Sequence, residues 1–103
     1  PQAPSGPPPG DPLGPDLFLA IRSGSPQQVQ AILAKGAKLE APNWLGINPL
    51  MWAALVGNEE VCKLLIDAGA NVNAPSRLGN VLAFAEYGGK PGIVKLLLSH
   101  GAK

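Results

Sequence analysis

An all-α array of three helix-turn-helix units follows from three features of the chain: a period of 32 to 33 residues, a pair of helix caps within each period, and turn-forming segments between the pairs. Gly24, Gly57 and Gly89 stand 33 and 32 residues apart, and the same offsets bring Leu17 onto Leu50 and Leu82, and Ala20 onto Ala53 and Ala85. Gly36-Ala37 falls on Gly69-Ala70 and Gly101-Ala102, while Ile32-Leu33 falls on Leu65-Ile66 and Leu97-Leu98. Self-similarity at this spacing marks supersecondary units that bury their apolar faces by stacking on one another.

The caps divide each unit into two short helices. In the middle unit Asn48 is a good N-cap, Pro49 suits the first helical position, and Gly57 can adopt the left-handed conformation that ends a helix, which predicts a first helix over about 49–56. Asn58 then caps a second helix over about 59–67, with Glu59 and Glu60 in the turn where the helix dipole favours negative charge, and Gly69 closes it. Ser25, Pro26 and Gln28 repeat this logic as a capping box in the first unit, and Asn80 followed by Pro91 does so in the third. Segments 37–48 and 70–80 each hold a Pro, an Asn and a Gly, and read as turns that project from the helical stack as fingers.

Composition narrows the function. Hydrophobic residues make up 46% of the 103 residues and charged ones 15%, which excludes a fully disordered chain. The net charge is +1 and the basic residues are scattered from Arg22 to Lys103 without forming a stripe, a pattern that argues against nucleic acid as partner. The longest apolar run, Leu50 to Val56, has seven residues, far short of the roughly 18 to 20 needed for membrane insertion. A single cysteine, Cys62, gives no internal disulfide. The first residue is Pro rather than Met, so the chain reads as a processed product or a fragment, and localisation stays open between the cytosol and an organelle reached by a removed targeting segment.

Two regions are expected. Residues 1–15 carry seven prolines and three glycines and read as an extended proline-rich N-terminal arm, either a plain linker or a polyproline II segment with Pro7-Pro8-Pro9 laid in a groove. Residues 16–103 form the repeat domain, with units at about 16–43, 44–74 and 75–103.

The middle unit, Asn48 to Ala74, resembles an ankyrin repeat at almost every position, and the likeness extends less fully to the units on either side. The departures are local. Asn48-Pro49-Leu50-Met51 and Asn80-Val81-Leu82-Ala83 stand where the family has Thr-Pro-Leu-His, so the usual hydrogen bonds of Thr and His between repeats are not expected, and Asn replaces Thr as the cap. Leu45 and Leu78 precede the finger glycines Gly46 and Gly79 in place of an acidic residue, and the third unit is one residue short in its finger. The resemblance implies protein recognition on the concave side built by fingers and first helices, with no cofactor and no reaction; fold alone does not identify the partner.

Candidate partner-binding residues follow from this frame. Trp44 and Leu45 at the first finger tip, with Ile47 after them, are apolar where related sequences place polar side chains, and Arg77 and Leu78 form the equivalent tip one repeat later. Aromatic and arginine side chains are enriched among interface hot spots. Trp44 equally could fold onto the neighbouring repeat or the arm. The two positions before each helix-ending glycine face the concave side in this family, here Arg22 and Ser23, Leu55 and Val56, Tyr87 and Gly88. Trp52 occupies an inward Leu position of the family pattern and is expected in the core, as is Cys62, which aligns with Val29 and Val94. His100, the one histidine, sits where a cation would meet the C-terminal dipole of the last helix.

No set of residues with catalytic or metal-ligating spacing is present: there is no Cys-His cluster and no phosphate-binding glycine loop, and Glu59 and Glu60 are adjacent rather than facing across a cleft. The expectation is therefore a non-enzymatic adaptor or scaffold that binds another protein. A subunit docked permanently in a large assembly is the competing expectation, because three repeats are near the minimum for a stable array and the last helix, with Ile93, Val94 and Leu96 to Leu98, is more apolar than one inner face requires.

Overall fold

The computed structural model describes residues 13–43 and 45–103. Six helices follow in order: α1 (Gly14–Ser23), α2 (Pro26–Ala34), α3 (Pro49–Val56), α4 (Glu59–Asp67), α5 (Val81–Gly88) and α6 (Pro91–Ser99). No strand occurs among the described residues. Residues 1–12 of the expected arm lie outside the described residues. Its last residues belong to the repeat domain instead: Gly14 and Pro15 open α1, two residues earlier than expected, because a proline in the first turn lacks only an N–H that would have no helical partner there.

The caps act as their spacing predicts. Asn48, Asn58 and Asn80 each accept, through the side-chain oxygen, a backbone N–H three residues on, from Met51, Val61 and Ala83, all at 2.9 Å. Ser25 does the same for Gln28 at 3.3 Å, but the return bond expected of a capping box is not made, because Ser25 N–H donates to the Ala20 carbonyl and the Gln28 side-chain oxygen accepts from the Ser23 hydroxyl at 3.5 Å. Gly57 ends α3 with φ of 90°, a left-handed conformation that a side chain would strain.

The helices stack in two layers. α1, α3 and α5 pack side by side in one, α2, α4 and α6 in the other, and each unit pairs one helix from each layer. Between them runs a continuous apolar core in which Leu17, Ile21, Val29, Leu50, Val61, Leu65, Ile93 and Leu97 are fully enclosed. Full burial of such side chains contributes about 1.5–3 kcal/mol each. α5 lies unusually close to α3: a Cβ placed on Gly88 would collide with the Ala54 carbonyl oxygen and come within 3.1 Å of that of Leu55. The absence of a side chain at Gly88 thus sets the spacing of the last two units.

Polar bonds between units replace those that the Thr and His of the family pattern would make. The Glu40 carboxylate of the first unit accepts the backbone N–H of Asn71 at 2.8 Å and the side-chain amide of Asn48 at 3.2 Å. One unit later Asn73, at the position of Glu40, accepts the N–H of Lys103 at 2.9 Å and donates to the Gly101 carbonyl at 3.1 Å. Asn58 donates to the Gly24 carbonyl of the preceding unit at 3.3 Å, and within the third unit Asn80 donates to the Lys103 carbonyl at 2.9 Å. Trp52 packs against the core from this seam: it is half-buried, meets Phe18 edge to face with ring centres 6.1 Å apart, and donates its indole N–H to the Phe18 carbonyl at 3.1 Å. An indole needs such an acceptor when it leaves water, which explains why it stops at a helix surface instead of passing between the layers.

Candidate functional site

Two fingers and the ends of three helices present the exposed side chains of interest. The first finger is shaped by Asn43, whose side-chain oxygen accepts the N–H groups of Leu45 at 2.9 Å and Ile47 at 3.3 Å. The backbone N–H of Asn43 donates to the Ile47 carbonyl at 2.9 Å, closing the loop. This turn points Leu45 into solvent, where it is 47% exposed, and drives Ile47 into the core at 1%. Ile47 was expected to join the binding tip and does not: its side chain plugs the base of the finger and is inaccessible to a partner. Trp44 lies outside the described residues.

The second finger is held by Ser76, whose hydroxyl accepts the Leu78 N–H at 3.2 Å and donates to the Gly79 carbonyl at 2.6 Å. Arg77 and Leu78 stand exposed at its tip. The residue missing from this unit is the one that would match Ile47, between Gly79 and Asn80, so the second finger has no core plug and depends on the serine turn.

On the helices, Arg22 and Ser23 at the end of α1, Leu55 and Val56 at the end of α3, and Tyr87 at the end of α5 are all exposed, Tyr87 at 77%. Because α1, α3 and α5 pack side by side, these matching positions lie along one face. Gly88, in the same pair of positions, is half-buried by its approach to α3.

Other chemistry-bearing groups are placed as structure. Cys62 is buried, and its thiol is pushed up to about 12 by burial and by the negative charge of Glu59, so the nucleophilic thiolate does not form near neutral pH. His100 is exposed at the end of α6. Among the described residues no group of three His, Cys, Asp or Glu side chains could hold a metal ion, and no helix is long and apolar enough to cross a membrane. A cleft of about 370 Å³ between the fingers is lined by Glu40, Asn48 and Asn71, whose polar atoms already bond one unit to the next. A groove of about 660 Å³ between α2 and α4 has Leu33, Ala34, Leu64 and Ala68 on its floor and Glu60, Lys63 and Asp67 at its rim.

One exposed apolar residue, Leu19, escaped the sequence reading, and another, Leu98, belongs to the apolar run of the last helix singled out there. Leu19 is 62% exposed on α1, in the column whose later members, Trp52 and Phe84, pack back onto the preceding unit. Leu98 is 52% exposed on α6, in the column where Leu33 is half-buried and Ile66 buried. Comparing equivalent positions across units was the signal available for Leu19, because the seam contacts of one unit predict what the outer units leave uncovered.

The family described as ankyrin repeats in three copies matches residues 17–103. An ankyrin repeat-containing protein of Treponema pallidum is 33% identical over 90 residues, covering 85% of this chain and 30% of its own length. A homolog of transient receptor potential cation channel subfamily A member 1 from Caenorhabditis elegans is 34% identical, over 82% of this chain and 7% of its own length. The ankyrin repeat and KH domain-containing protein mask of Drosophila melanogaster is 40% identical, over 84% of this chain and 2% of its own length. The chain therefore spans less than a third of each of these relatives.

Proposed function

The chain belongs to the ankyrin repeat family, whose repeats are protein-protein interaction modules, and we propose that it acts as a non-catalytic module that recruits or scaffolds one protein through its finger tips and concave face. The observation that carries this reading is the run of exposed apolar side chains Leu45, Leu55, Val56, Leu78 and Tyr87 on the fingers and first helices. Scattered surface leucines are ordinary, but here Leu55 and Tyr87 hold matching positions on neighbouring helices and Leu45 and Leu78 matching positions on the two fingers, which favours a shared apolar surface of the kind that partners cover. The turn bonds favour affinity, since a loop whose backbone is already bonded to Asn43 or Ser76 has less conformational freedom to lose on binding.

Affinity capture from an extract of the source cells tests it. The Leu45→Ser, Leu55→Ser, Tyr87→Ser triple variant keeps the circular dichroism of the unmodified chain and loses a protein that the unmodified chain captures. Unchanged capture would reject this face. A second reading, a subunit docked permanently in a larger assembly, is favoured by the exposure of Leu98 and the half-buried Val94 at the outer edge of the array. That reading predicts self-association of the purified chain, whereas a recruiting module sediments as a monomer.

A further inference from the structure

The chain contains two arginines, Arg22 and Arg77, and both lie on the face just described, while its six lysines are at positions 35, 38, 63, 90, 95 and 103. Both arginines are exposed, and neither guanidinium has an ion-pair partner among the described residues. Arg22 ends α1, where the helix dipole favours any cation and a lysine would serve as well. Arg77 has no helix end to complement: it stands on the two-bond serine turn of the second finger, beside the exposed Leu78. Glu40, close in sequence to the first finger, has both oxygens engaged by Asn48 and Asn71 and does not answer either arginine.

A guanidinium differs from an ammonium in its planar fork of donors, which matches a carboxylate with two parallel hydrogen bonds. We propose that the partner presents a peptide segment with an apolar centre and carboxylate side chains on either side of it, the apolar part covering Leu55 and Tyr87 and the carboxylates reaching Arg22 and Arg77. This rests on the protein-binding reading of the same face. Exposed ion pairs alone add little affinity, but Arg77 precedes the exposed Leu78 and Arg22 holds the helix-end position that Leu55 and Tyr87 hold on the neighbouring helices, so a segment that covers the apolar residues brings its charges to the arginines, and charge complementarity then selects among apolar peptides.

Selection of phage-displayed random 12-residue peptides on the unmodified chain tests this, followed by fluorescence anisotropy of the selected peptides against two variants. Arg22→Gln with Arg77→Gln reads the charge requirement, and Leu55→Ser with Tyr87→Ser reads the face itself; all four positions are exposed, and circular dichroism verifies each fold. The expected result is a set of peptides rich in Asp and Glu around apolar residues, weakened roughly tenfold or more by the arginine variant and bound more weakly as salt rises. Peptides that are lost with the Leu55 and Tyr87 variant but show no acidic bias, or bind the arginine variant unchanged, overturn the charge assignment and leave the binding face standing. Peptides indifferent to both variants, or none at all, overturn both.

Discussion

Replacing Gly88 with alanine exchanges one hydrogen for a methyl group at a half-buried helix end, yet the structure makes it a destabilising change. The new Cβ would fall on the Ala54 carbonyl oxygen and lie 3.1 Å from that of Leu55, and both are backbone atoms that cannot rotate aside. α5 must withdraw from α3 by a sizeable fraction of an ångström, loosening the contacts of Val81, Phe84 and Ala85 in that seam. Overpacking of this kind costs about 1–3 kcal/mol, against a gain in helix propensity of at most about 1 kcal/mol for Gly to Ala. The net expectation is a loss of about 1–2 kcal/mol. Gly92 provides the internal control: a Cβ there meets only the end of the Glu59 side chain, which is exposed and can turn away. Gly92→Ala should be neutral or stabilising by up to about 1 kcal/mol. Urea denaturation followed by circular dichroism at 222 nm separates the two, with a midpoint about 1 M lower for Gly88→Ala if the slope is near 1–1.5 kcal/mol per M. A Gly88→Ala chain at least as stable as the unmodified one would refute the close approach of α5 to α3.

Asn58→Ala removes both the cap on Val61 and the bond to the Gly24 carbonyl, and should lower stability by about 1–2 kcal/mol, read as a shifted thermal midpoint. Ile47→Ala should cost about 2–4 kcal/mol in the same assay, because its side chain is enclosed; a loss under 0.5 kcal/mol, the usual range for an exposed position, would place it back on the surface. Burial raises the Cys62 thiol from its ordinary 9.0 to about 12, so the unfolded thiol ionises first as pH rises and the native state loses stability across pH 9 to 12 by about 1.4 kcal/mol per pH unit. Urea midpoints at pH 8, 9 and 10 should fall more steeply for the unmodified chain than for Cys62→Ala, and parallel lines would contradict the burial.

Much of the fold was legible because caps are local. Asn48 and Gly57 bracket α3, and Asn58 opens α4, by hydrogen bonds that span three or four residues, so their limits coincide with those expected from spacing. The apolar columns were legible for a similar reason, since Val29, Cys62 and Val94 recur at the period of the array and all face inward, fully or in part. What was not legible depends on contacts between units. The inward turn of Ile47 follows from two bonds to Asn43, which a reading of finger tips as uniformly outward overlooks. The half-burial of Trp52 depends on where Phe18 presents its carbonyl, thirty-four residues away. Nothing local marks Glu40, because its bonds to Asn48 and Asn71 emerge only once two fingers are stacked. For the candidate site, the helix-end positions Arg22, Leu55, Val56 and Tyr87 are exposed where the family pattern places them, because the glycine after each fixes the last turn.

Amide hydrogen exchange of the chain, free and with a captured protein bound, tests the binding face most directly. Added protection at the two fingers and at the C-terminal ends of α1, α3 and α5, with α2, α4 and α6 unchanged, is the predicted result. Protection confined to α2, α4 or α6 would contradict it and move the interface to the opposite layer.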